Sequence, residues 1–119
     1  MIERIGILPL RSSVVIHNGI VYLAGQVGEG SSFSEQCKSA LSRADELLAS
    51  AGSDREHILQ ATVYLANVED FAAMNSIWLD WISPGKPPAR VTVVAKFVKP
   101  EYKVELVLIV AQIRSSASC

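Results

Sequence analysis

The stretch Pro87 to Ala111, PPARVTVVAKFVKPEYKVELVLIVA, constrains the fold most. Its β-branched runs read as two long strands joined by a short Lys99-Pro100-Glu101 connection. Successive residues of a strand point to opposite faces. Arg90, Thr92 and Val94 therefore share one face, and Val91, Val93 and Ala95 the other. On the second strand Lys103, Glu105, Val107 and Ile109 oppose Val104, Leu106, Leu108 and Val110. Both faces are largely apolar, so both require cover. Each strand also carries one charge where an apolar residue is expected, Arg90 and Glu105. A buried charge without a partner is costly. The two are either halves of a structural ion pair or parts of a site, and the pattern alone leaves both readings open.

The chain offers two substantial helices as cover. Ser32-Phe33-Ser34-Glu35 is a capping box. The helix after it places Phe33, Cys37, Ala40, Leu41, Ala44, Leu47, Leu48 and Ala51 on one face and stops at Gly52. Lys38, Ser42, Arg43, Asp45 and Glu46 form its solvated side, with no assigned function. Asn67–Asp70 opens the second helix, with Phe71, Met74, Ile77, Trp78, Trp81 and Ile82 at core spacing and Asn75 beside them. Ser83-Pro84-Gly85-Lys86-Pro87-Pro88 ends it. Two helices cover one sheet face. The simplest cover for the other is a second copy of the chain, because most soluble oligomers are symmetric.

The remaining elements are strands. Val14–His17 and Ile20–Ala24 flank Asn18-Gly19, a tight-turn pair, and form a hairpin with His17 as a solvated turn residue. Ile58–Leu65 reads as an interior strand. Gly25-Gln26-Val27-Gly28-Glu29-Gly30 has the wrong glycine order for a dinucleotide loop and reads as a flexible connection. Gly25, at the strand end, is a candidate for close backbone approach to a ligand.

With 119 residues, half of them apolar and 19% charged, the chain is expected to form one domain over residues 1–113, followed by a flexible tail at 114–119. A net charge of −1 supplies no field for nucleic acid and no polybasic membrane patch. With no signal-peptide pattern and no apolar run long enough to span a bilayer, the expected location is the cytoplasm. Cys37 reads as core and Cys119 as a fraying end. No CxxC or Cys/His cluster suggests a metal or disulfide framework.

The ordered set VYLAGQVG, LLASAGSD, ILQATVYL, EDFAAMN, PPAR and KVELVLIVA, from about Ser13 to Ala111, resembles the RidA/YjgF family of reactive enamine/imine deaminases, also called the endoribonuclease L-PSP family. It is most similar to the branch with W-x-x-W in the second helix, here Trp78 and Trp81. The resemblance implies an α+β, chorismate-mutase-like fold: a mixed sheet with two helices on one face, and a homotrimer whose sheets form a central barrel. It implies a cofactor-free, metal-free 2-iminobutanoate/2-iminopropanoate-type deaminase, converting 2-imino acids to 2-keto acids and ammonia in clefts between subunits. Arg90 would clamp the substrate carboxylate, and Glu105 would position water. Asn75 and Gly25 match further pocket residues. Three positions depart from the commonest family form: Ala24 replaces a serine, Thr92 a cysteine and Arg11 a pocket tyrosine. These alter the pocket around a retained clamp, and a second arginine at Arg11 would favour a more acidic substrate or a different anion.

The alternative is a non-catalytic trimer that binds a small carboxylate metabolite and serves a regulatory role. A chorismate-mutase-like isomerase rests on fold analogy alone. Nucleic-acid binding lacks a basic groove.

Overall fold

The computed structural model describes residues 1–113. The tail expected at 114–119, with Cys119, lies outside the described residues. Six strands and two α-helices follow in the order β1 (Glu3–Ile7), β2 (Ser12–His17), β3 (Ile20–Leu23), α1 (Phe33–Ser50), β4 (Ile58–Leu65), α2 (Phe71–Trp81), β5 (Ala89–Val94) and β6 (Val104–Ala111). One mixed sheet contains all the strands in the order β1-β2-β3-β6-β4-β5. Only β4 and β5 run parallel, with α2 as their crossover.

The local signals of the sequence account for most boundaries. Asn18 (φ 52°) and Gly19 (φ 75°) take the left-handed conformations that a two-residue hairpin turn demands. Ser32 and Glu35 form the reciprocal capping box at the start of α1. Gly52, at φ 76°, provides the left-handed stop. α1 buries Phe33, Cys37, Ala40, Leu41, Ala44 and Leu48, and α2 buries Met74, Trp78 and Trp81. Of the remaining apolar positions expected at the core of α2, Phe71 is exposed and Ile77 is partly buried.

Three features differ from the sequence expectation. β1 is an additional edge strand, antiparallel to β2. Its alternation is short and interrupted by Gly6, so no periodic run announces it. Secondly, β5 and β6 do not pair. β4 lies between them, and the Ala95–Lys103 connection carries the chain past it. Lys99-Pro100-Glu101 is only the turn within that connection, closed by Tyr102 N donating to Lys99 O at 3.2 Å. Thirdly, the outer side of α1 is not merely solvated. Arg43 donates to Val27 O at 2.8 Å, and Asp45 accepts from both Arg55 and Trp81. Gln36, absent from the expected core list, is buried and spans Gly30 O, Glu101 O and Lys103 N. A buried amide with all these partners costs little and pins the Ala95–Lys103 connection to α1.

The core lies between the helices and one sheet face. Val104, Leu106, Leu108 and Val110 of β6 and Ala61, Val63 and Leu65 of β4 are at most 1% exposed. The alternate positions point the other way. There Tyr22, Val91 and Val93 are 39–48% exposed, an apolar face that no described element covers. No helix among the described residues is long and apolar enough to cross a membrane.

Candidate functional site

Arg90 lies near the start of β5, directly after the Pro87-Pro88 approach. Its register partner is Ala61, whose side chain is in the core, so Arg90 points toward the helices. There α2 meets it. Arg90 Nη2 donates to Asn75 Oδ1 at 2.5 Å and to Thr92 Oγ1 at 3.0 Å, and Nε donates to the same hydroxyl at 3.3 Å. The Trp78 ring lies against the guanidinium, with Cζ 5.5 Å from its centroid. Arg90 joins none of the ion pairs among the described residues. Its Nη1 group makes no hydrogen bond among them either, leaving two N–H donors open. Burial pulls the guanidinium's pKa below its ordinary value, yet an arginine stays cationic at neutral pH. An oriented, partly desolvated cation with free donors suits a carboxylate.

Glu105 occupies the open face of β6. It pairs in register with Tyr64, three residues along β4 from Ala61. Three is odd, so Arg90 and Glu105 emerge on opposite faces of the sheet. They are also offset by roughly 10 Å along the strands and roughly 10 Å across them. The structure thus excludes an Arg90–Glu105 ion pair within one chain. Glu105 lines a cleft of about 460 Å³ with Tyr64, Lys96, Phe97, Tyr102 and Val107.

The Ala24–Gln26 segment approaches β6 beside Glu105. Gln26 exchanges backbone hydrogen bonds with Leu106 at 2.8 and 2.9 Å, and its side chain donates to Ala24 O at 3.0 Å. A Cβ on Gly25 would overlap the Glu105 carboxylate, so any larger residue there would have to push that carboxylate aside. Gly25 is exposed, and its N–H and C=O have no partner among the described residues. Ala24 N donates to Ser13 O at 3.0 Å, which brings the start of β2 to the same end of the sheet. Arg11, two residues earlier, is exposed in the β1–β2 turn, where its carbonyl accepts from Leu8 N.

The residues singled out from sequence thus fall into two groups. Asn75, Arg90 and Thr92 meet on the helix side at the β5 edge. Gly25 and Glu105 meet on the other face, with Ala24 adjoining Gly25 in the chain and Arg11 at that end of the sheet. Sequence reasoning missed Tyr64, Lys96, Phe97 and Tyr102 as neighbours of Glu105, because only strand register and the path of the Ala95–Lys103 connection bring them there. It placed Trp78 in the core without linking it to Arg90. Among the described residues no three His, Cys, Asp or Glu side chains cluster as metal ligands.

The fold is that of an α+β protein with two helices on one face of a six-stranded mixed sheet. The sequence model described as Endoribonuclease L-PSP matches residues 5–112. A RutC family protein of Haemophilus ducreyi is 42% identical over 113 residues, covering 93% of this chain and 97% of its own. The RutC family protein YoaB of Escherichia coli is 41% identical over 102 residues, covering 84% and 89%. A crystal structure of a member of the YjgF protein family from Neisseria meningitidis superposes with a TM-score of 0.95 at 35% identity, covering 97% and 98%. The chain belongs to the RidA/YjgF family, the endoribonuclease L-PSP family of the matching sequence model.

Proposed function

We propose that this chain hydrolyses reactive 2-imino acids to 2-keto acids and ammonia, without metal or organic cofactor, at sites completed by two copies within a homotrimer. The observation that carries the reading is Arg90: half-buried, held by Asn75 and Thr92, with no carboxylate partner among the described residues and with Nη1 open. A 2-imino acid presents a carboxylate beside an electrophilic carbon. Arg90 fixes the first and leaves the second exposed to water. Thr92 supplies a fixed acceptor for the guanidinium, the task the sequence left undefined for this departure from the commonest family form.

Glu105 comes from a second copy, because within one chain it faces away from Arg90. It orients the attacking water, and Gly25 lines the site with free backbone groups. The water oxygen bonds to the imine carbon as a proton passes to Glu105. Glu105 passes that proton to the imine nitrogen, giving the carbinolamine. The hydroxyl proton then moves by way of Glu105 to the amino group, the carbonyl forms as the C–N bond breaks, and ammonia leaves the 2-keto acid. The uncovered face with Tyr22, Val91 and Val93 supports assembly, and the trimer number follows from the family resemblance. A trimer of this kind works in the cytoplasm, where pyridoxal-phosphate enzymes release such imines.

The alternative is a trimer that binds a carboxylate metabolite without turnover. One assay separates the two. An amino-acid oxidase generates 2-imino acids in situ, and semicarbazide traps them. Wild-type protein is expected to suppress the trapped product and Arg90→Ala is not. Absence of suppression across several side chains, with binding of the 2-keto acid retained, would establish the binding reading instead.

A further inference from the structure

We infer that Asp45, Arg55, Trp81 and Trp78 form a stack that positions Arg90, so that a carboxylate on α1 tunes anion binding at β5. This inference rests on the reading of Arg90 as the carboxylate clamp.

Trp78 and Trp81 are three residues apart on α2 and so share a face. Their rings lie 5.4 Å apart between centroids, tilted by 44°. Each carries a guanidinium: Arg90 Cζ lies 5.5 Å from the Trp78 centroid, and Arg55 Cζ 4.9 Å from that of Trp81. The order is Arg90, Trp78, Trp81, Arg55. The far end is locked. Asp45 Oδ2 accepts from Arg55 Nη2 at 2.6 Å and from Trp81 Nε1 at 3.0 Å, and Arg55 Nη1 donates to Trp81 O at 2.7 Å. One carboxylate oxygen thus fixes both the indole and the cation against it.

The near end is where position matters. α2 presents to Arg90 both Asn75 Oδ1, which takes an Nη2 proton, and the Trp78 ring, which sets the plane of the guanidinium. An in-plane acceptor and a face contact together determine where the open Nη1 donors point. Packing alone would satisfy Trp78 and Trp81, which are 5% and 8% exposed. It does not require each ring to carry an arginine over it. If Asp45 releases Trp81, the indole and Arg55 lose their shared anchor, the tilted contact with Trp78 can shift within the core, and the Arg90 plane loosens. Asp45, Arg55 and Trp81 are positioning residues in this scheme. In it they touch neither the substrate nor the attacking water.

The chain's two tryptophans both belong to the stack, so its emission reports it directly. The full chain is titrated with 2-oxobutanoate, and affinity is measured in parallel by calorimetry. Wild type is expected to show a saturable emission change. Trp78→Leu is expected to weaken binding roughly tenfold, and Trp78→Phe, which keeps a ring face, to restore it to within about threefold. Asp45→Ala is expected to weaken binding roughly three- to fivefold although its side chain is remote from the ligand. Thermal melts identify any variant that fails to fold. If Trp78→Leu is one, Asp45→Ala decides. Wild-type affinity in folded Asp45→Ala, with its emission change intact, overturns the stack. Wild-type affinity in Arg90→Ala overturns the clamp reading. Loss in Arg90→Ala with wild-type affinity in Asp45→Ala and Trp78→Leu overturns the stack alone.

Discussion

Arg90 and Glu105 emerge from opposite faces of one sheet, on the two strands that flank β4, three register positions apart. Neither reaches the other within a chain. A site that uses both must draw them from different subunits, and that is testable by mixing. Arg90→Ala and Glu105→Ala proteins, each inactive alone, are co-refolded and assayed for imine hydrolysis. Random reassortment is expected to restore roughly a quarter of the wild-type sites, because some interfaces receive an intact Arg90 from one variant and an intact Glu105 from the other. No recovery in verified mixed oligomers would mean that the two residues do not share a site.

The Arg90 contacts also predict how substitutions there differ. Lysine keeps the charge but is not a planar fork, so it cannot meet Asn75, Thr92 and a carboxylate together. Arg90→Lys is expected to lower kcat/KM roughly a hundredfold and Asn75→Ala roughly tenfold. The trapping assay measures both. Equal activity of Arg90→Lys and wild type would show that charge alone suffices.

Gly25 gives a test of the water-positioning role. A methyl group there overlaps the Glu105 carboxylate and must displace it. Gly25 itself is exposed, and the atoms the methyl meets belong to the Glu105 side chain, so the fold tolerates the change. Gly25→Ala is expected to cut kcat by about a hundredfold, the scale at which a displacement of about 1 Å is felt, with little change in thermal midpoint. An unchanged kcat would show that the position of the Glu105 carboxylate is not critical.

Much of this arrangement is legible in the sequence. The Ser32–Glu35 box, the Asn18-Gly19 turn and the Gly52 stop are local devices, and each carries its own geometry in two to four residues. Alternation on β6 separated Glu105 from Leu106 and Leu108 because side-chain period needs no partner strand. What remained hidden depends on strand order. Nothing in the Pro87–Ala111 stretch says that β4 inserts between its two strands, so the distance between Arg90 and Glu105 was not readable. Asp45 misled because it sits at a solvent-side position of α1, and only tertiary packing brings Arg55 and Trp81 to it. Arg90 and Glu105 stand out in the sequence as charges in apolar strands, and the family resemblance adds Asn75, Thr92, Ala24 and Arg11 to the candidates. Their division between two faces is a property of the sheet.

Asp54 offers a pH prediction away from the site. It caps the short turn at Arg55–His57, with Oδ1 accepting from Glu56 N at 2.9 Å and from His57 Nδ1 at 2.7 Å. The His57 hydrogen bond, opposed by partial burial and helped by the Glu56 amide, holds the Asp54 carboxyl below its ordinary value. A carboxylate depressed in the folded state adds stability above its unfolded pKa and loses it as pH falls through the folded one. The pair is half exposed to solvent, so its contribution is small, about 0.5 kcal/mol. Asp54→Asn removes the charge but keeps a capping oxygen. Wild type is therefore expected to melt about 2 °C higher than Asp54→Asn at pH 7, with the gap closing as the pH drops below the ordinary aspartate value. Paired thermal melts from pH 7 to pH 2 measure it. A gap that persists at pH 2 would place the effect in the cap's geometry rather than in its charge.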